Sequence, residues 1–220
     1  QTYGMAPLRN PFKVVDLEKT PLILVGEDLE DSQPVAEPEY TKEGHRPMQL
    51  WKVQVQVEHV LQGALPSRRI DIFYFVDLGF VGGSVSRLMH MPKGHSYIFL
   101  LQPDGNHWRT IYDGWANCVF WVRTGTHYEY NIDRTRPIAN IMVDLLLSRG
   151  DRTSDAQMLD AIYHPQTRLG DLPIMDSLER LSREDTSPAV RELASSELAK
   201  MSYKRNWASK GQKQVNNVVH

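Results

Sequence analysis

Residues 48–59 alternate without a break: Leu50, Lys52, Gln54, Gln56 and Glu58 fall on one side of a period of two, and Trp51, Val53, Val55, Val57 and His59 on the other. Successive side chains point to opposite faces only in a strand, so the run predicts one with Val53, Val55 and Val57 inward and Lys52, Gln54 and Glu58 in water. A helix over 48–61 would spread the three valines around its circumference. A strand that is dry on one face needs further strands beside it, and the chain supplies them. Leu22-Ile23-Leu24-Val25-Gly26-Glu27 is a short β-type run ended by glycine and acids, and 70–76 is rich in β-formers. Runs at 96–101 and 108–112 flank Pro103-Asp104-Gly105-Asn106, and Asp-Gly between two such runs signals a hairpin. Segments 119–123 and 128–132 supply the last strands. The proline-punctuated, acidic stretch 31–47 reads as a loop, and Gly79, Gly82 and Gly83 as a tightly turned connection.

After Pro137 the spacing becomes helical. Ile138, Ile141, Met142, Leu145 and Leu146 form one apolar stripe, with Pro137 where a first turn tolerates it and Gly150 where a helix stops. Further helices are expected over 154–164, 172–183 and 187–203. The ends differ from both regions: residues 1–21 carry Pro7, Pro11 and Pro21 with little periodicity, and 204–220 are polar up to a closing Val215-Asn216-Asn217-Val218-Val219-His220. The expected organisation is an α+β chain: an extended N-terminal arm (1–21), a closed or nearly closed antiparallel β-barrel (22–133), a small α-helical array (134–203) and a C-terminal tail (204–220).

With 220 residues, 41% hydrophobic and 24% charged, the chain is long enough to bury a core without staples, and a net charge of −2 does not favour a nucleic-acid partner. No apolar run reaches the ~18–20 residues that span a bilayer. Cys118 alone forms no internal disulfide and, before Val119-Phe120-Trp121, reads as a small buried apolar side chain. The opening Gln1-Thr2-Tyr3-Gly4 fits what signal-peptide removal leaves, so a secreted or cell-surface location is expected.

Two phrases carry a family resemblance. Val57-Glu58-His59-Val60-Leu61-Gln62-Gly63 follows a pattern V-x-x-V-L-K-G with Gln62 in place of lysine, and Gly94, Tyr97 and Leu100 fit a later G-x-x-Y-x-x-F-L. Over roughly residues 20–125 the chain resembles the bacterial netrin-like, tissue-inhibitor-of-metalloproteinase-like OB-barrel proteins. That resemblance implies an OB-like barrel. The animal inhibitors of that superfamily chelate a protease zinc through an N-terminal cysteine; this chain begins with Gln1, so that activity is not carried over. The helices around Pro188-Ala189-Val190-Arg191 and Leu193-Ala194 look like HEAT-type units.

Met89, His90, Met91 and His95 offer soft and imidazole ligands that would suit copper, but without a third fixed ligand, so no metal is assigned. Gly82-Gly83-Ser84 lacks the closing glycine of a nucleophile elbow. Asp77, Asp104 or Asp113 could face Glu58 as a carboxylate pair, although no spacing encodes one. No phosphate-cradling glycine loop occurs. No catalytic residue and no cofactor is therefore expected. Aromatics crowd 108–130, where alternation sends most to the core; Trp115, between Gly114 and Ala116, is the exception that could anchor a partner.

The function expected is that of a non-catalytic extracellular structural protein, assembling through its arms into a filament or surface assembly. Tyr3, Phe12, Trp115, Trp207, Val215, Val218 and Val219 are its contact residues. The partners expected are other copies of the chain, or other surface proteins or glycans. A monomeric OB-like module binding a protein, glycan or small ligand, and an enzyme of unidentified class, are the alternatives.

Overall fold

The alternating run becomes the longest strand of a computed structural model that describes residues 15–37, 39–40, 47–78, 90–111, 118–124, 132–147, 174–185, 188 and 190–201. Its strands are β1 (Leu22–Asp28), β2 (Gln33–Pro34), β3 (Glu39–Tyr40), β4 (Pro47–Gln62), β5 (Arg69–Asp77), β6 (His95–Asp104), β7 (His107–Thr110) and β8 (Val119–Thr124). The helices are α1 (Ile138–Leu147), α2 (Ile174–Glu184) and α3 (190–201). The fold is mixed α+β. The described residues fall into two compact units, divided between Ile138 and Ala139. Of the strand expected at 128–132, residues 128–131 lie outside the described residues and Ile132 is not in a strand; the helix expected at 154–164 lies outside them entirely.

In the first unit, β1 pairs antiparallel with β4 on one edge and with β6 on the other. β4 continues antiparallel to β5, β6 to β7, and β8 lies antiparallel on β6. The expected antiparallel barrel is corrected at one place. β5 and β7 run parallel, so the sheet is mixed, and they share only Ile72↔Trp108 and Phe73↔Arg109, a seam too short to make it a closed barrel. The reason is one of parity. Gly105, at φ 60, turns β6 tightly into β7 and makes those two antiparallel. Five strands in the order β1-β4-β5-β7-β6 cannot all alternate in direction and return to β1, so one contact must be parallel.

The segment expected as a loop at 31–47 also contributes strands. β2 and β3 fold back on the first half of β4, at Gln33↔Lys52, Pro34↔Trp51, Glu39↔Met48 and Tyr40↔Pro47. They can do so because β1 covers β4 only from Val55 to Gln62, leaving that edge open. Two-residue strands have no periodicity to detect, and Pro34 is tolerated because it sits at an edge.

Val53, Val55 and Val57 are buried, packed with Leu22, Leu24, Ile72, Tyr74 and Phe99. Burying a side chain of this size contributes about 1.5–3 kcal/mol, so this cluster is the main stabilising element of the unit. In β1 and β6 the opposite face is dry as well, with Ile23, Val25, Ile98 and Leu100 fully buried. That is why both strands read as continuous apolar runs where β4 alternates.

The end of the 57–63 phrase has a mechanical job. Gln62 Nε2 donates to the carbonyls of Leu17 (2.9 Å) and Thr20 (2.5 Å), with that of Glu18 at 3.4 Å. Residues 16–20 form a turn closed by Lys19 N to Asp16 O and Thr20 N to Leu17 O. The end of the segment expected as an extended arm is thus a turn held on its own sheet.

In the second unit α2 buries one stripe, Ile174, Ser177, Leu178 and Leu181, three and four residues apart, whereas α1 is buried round most of its circumference, with Asn140 and Val143 joining Ile141, Met142, Leu145 and Leu146. Arg180 of α2 binds Asp144 of α1 at 2.7 Å. α3 buries Val190, Ala194 and Glu197, whose carboxylate accepts from Lys200 at 2.7 Å.

Gly63 and Gly94 both have positive φ (84° and 76°), but a Cβ on Gly63 would collide with the Pro21 carbonyl while one on Gly94 would meet open space. Gly94→Ala is expected to cost about 1 kcal/mol from backbone strain alone. Gly63→Ala adds displacement of the 17–21 turn and is expected to cost about 3 kcal/mol. Urea unfolding midpoints at unchanged slope measure the difference; equal losses would show that the turn is not held as described.

Candidate functional site

β1 begins wholly apolar and ends in Gly26-Glu27-Asp28. Asp28 is only 1% exposed, opposite Val55 of β4. Among the described residues neither of its carboxylate oxygens has a hydrogen-bond partner, and neither does the buried Ser96 Oγ. The Tyr74 hydroxyl makes no hydrogen bond of good geometry, with the Ser32 side chain beside it. A carboxylate so far from water is costly, and the proton is the simplest remedy. Burial, reinforced by the charge of Glu27, pushes Asp28 up to about 8. Burial raises Tyr74 and Tyr97 too, with the Asp28 charge adding to the effect on each.

This end of the core is covered by two short segments held against each other. The Asp28 carbonyl accepts from Gly94 N (2.8 Å), and Ser32 N donates to the Met91 carbonyl (2.9 Å). Ser32 Oγ accepts from Met91 N (2.7 Å) and lies 3.3 Å from His90 Nδ1. Asp31 Oδ1 accepts from Lys93 N (2.8 Å). Beneath them Met91 is fully buried. A row of rings leads outward: Tyr97, then His95 stacked at 6.4 Å and 24°, then Trp121 with its centroid 6.5 Å from that of His95. Trp121 is 38% exposed.

Tyr3, Phe12, Trp115, Trp207, Val215, Val218 and Val219 all lie outside the described residues. His90 and His95 belong to different networks, the first with Ser32 and the second with Tyr97 and Trp121. Among the described residues no three His, Cys, Asp or Glu side chains gather as a metal-binding group. Asp104 pairs with Arg109 at 3.4 Å. Cys118 is buried. Sequence reasoning missed Asp28, because an acid after glycine reads as the punctuation that ends a strand. The available signal was its phase: it follows Leu22 and Leu24 by even steps and so shares their inward face.

A carboxyl in this setting takes up and releases a proton with pH, and the sign of its effect on stability follows from where the proton goes. Below the unfolded value of 3.8, folded and unfolded chains both hold it. Between 3.8 and about 8 the unfolded chain has lost the proton and the folded chain keeps it, so stability falls as pH rises. The slope is about 1.4 kcal/mol per pH unit at most, and the loss is complete above the folded value. Asp28→Asn keeps the shape without the charge. The variant is expected to exceed the parent in stability at pH 8.5, with the gap shrinking toward pH 4.5 in chemical denaturation; a gap independent of pH would contradict the assignment.

Compared with protein-family models, with curated proteins and with solved structures, the chain shows no match.

Proposed function

We propose that this protein is a non-catalytic, secreted module that works by association, with an OB-like β-domain as its body and other copies of the chain as its first partner. The observation that carries the reading is the closure over Asp28. Among the described residues the one carboxyl moved far up by burial is closed off from the surface, so its role is internal and the outer surface is left for contacts. The OB-like assignment is supported by the five-strand order β1-β4-β5-β7-β6 with its short parallel contact, which suits a partly open five-stranded barrel. The α1–α2 pair, joined through Arg180 and Asp144, is read as one HEAT-like unit.

Association through the arms rests on their composition. Ordering backbone costs about 1–2 kcal/mol per residue, and each large apolar side chain buried returns about 1.5–3 kcal/mol. Tyr3, Phe12, Trp207, Val215, Val218 and Val219 are anchors of that kind, and strand addition to a neighbour would supply the backbone bonds. A head-to-tail contact that does not close would make a filament. The half-exposed Trp121 beside His95 favours a second reading, a monomeric module that holds a protein or glycan at that rim.

Sedimentation velocity separates the two. The full chain is expected to form oligomers whose size grows with concentration, and removal of 204–220 to leave a folded monomer by circular dichroism. A full chain that sediments as a monomer, or a truncated one that assembles equally well, would overturn the assembly reading. Loss of glycan or protein binding in Trp121→Ala would then support the monomeric module.

A further inference from the structure

The contact between 28–32 and 90–94 is more than a loop crossing. Its four hydrogen bonds join backbone to backbone or backbone to side chain across about sixty residues of sequence, and the Ser32–His90 contact joins two side chains. It also lies outside the regular ladder: β1 and β6 pair from Leu22↔Leu101 only as far as Glu27↔Ser96. The two segments can therefore separate without unzipping the sheet. Directly underneath lie Asp28, Met91 and Tyr74, and neither carboxylate oxygen of Asp28 has a partner among the described residues.

We infer that the contact is a proton-operated clasp, shut over the end of the core while Asp28 is neutral and opened by its ionisation. The groups around Asp28 leave a bare carboxylate little else. Glu27 on its own strand repels it, β4 offers apolar Val55, and β5 and β6 offer the hydroxyls of Tyr74 and Tyr97. The clasp itself carries Asp31, His90 and Lys93, and His95 opens β6; Lys93 is exposed, and its amide is occupied by Asp31. Since no cationic donor among the described residues faces it, water is the donor a carboxylate would draw in, and letting it in disrupts four hydrogen bonds rather than the whole fold. The clasp is independent of what the outer surface binds.

Amide exchange and methionine-methyl NMR of the full chain from pH 6 to 9.5 test this. After correction for base catalysis, the Ser32, Met91 and Gly94 amides are expected to lose at least about tenfold in protection, and the Met91 methyl resonance to move, with a midpoint near pH 8. The Ile98 and Leu100 amides should stay protected, Asp28→Asn should show no transition, and His90→Ala should retain it. A parent protein without the transition, an Asp28→Asn variant that keeps it, its loss in His90→Ala, or simultaneous loss of protection across β6 would each overturn the clasp.

Discussion

The position of β1 between β4 and β6 sets the rest of the first unit. A strand paired on both edges has its backbone groups satisfied along the shared register, which allows both faces to be dry. Leu22, Ile23, Leu24 and Val25 are accordingly all fully buried. Because β4 and β6 are each placed by β1, the five-strand order and its parallel contact follow. So does the position of Asp28, where β1 still pairs with β4 but no longer with β6. The uncapped side at that point is what residues 90–94 cover.

Buried polar groups have opposite characters at the two ends of the β1–β4 pairing. At one end Gln62 uses its amide on the carbonyls of the 17–20 turn, so a polar side chain is buried in part and matched. At the other, Asp28 is buried and unmatched. A hydrogen bond contributes about 0.5–1.5 kcal/mol net, whereas an orphaned buried group costs about 1–3 kcal/mol or more if charged. The matched end is stable by ordinary means, and the unmatched end depends on where a proton sits.

How much could be read beforehand depends on how each element meets water. β4 was legible because one of its faces is polar and only half-buried, which writes a period of two into the sequence. β1 and β6 were legible as strands through their β-branched and aromatic content, although two dry faces erase the alternation. The Asp104-Gly105 turn fixed the β6–β7 hairpin, and helical spacing located α1 and α2. What could not be read was set by pairing over distance: the parallel β5–β7 contact comes from the parity of a five-member order, and β2 and β3 exist only because β4 outruns β1. Asp28 was hidden by its neighbours, since glycine and two acids at a strand end look like a turn. The residues assigned to assembly belong to aperiodic segments outside the described structure, where pattern carries little information.

Synthesis proceeds from the N-terminus, and that gives the β1–β6 pairing a temporal meaning. Leu22 meets Leu101, a residue made 79 positions later. At about 5–20 residues per second, the interval is on the order of 4–16 s. Throughout it the ribosome has released Leu-Ile-Leu-Val with one hydrogen-bonding edge vacant and neither face covered, the kind of segment that recruits another chain. The strand that anchors the finished first unit is therefore an adhesive stretch while it is being made, and a holding chaperone would find its target there.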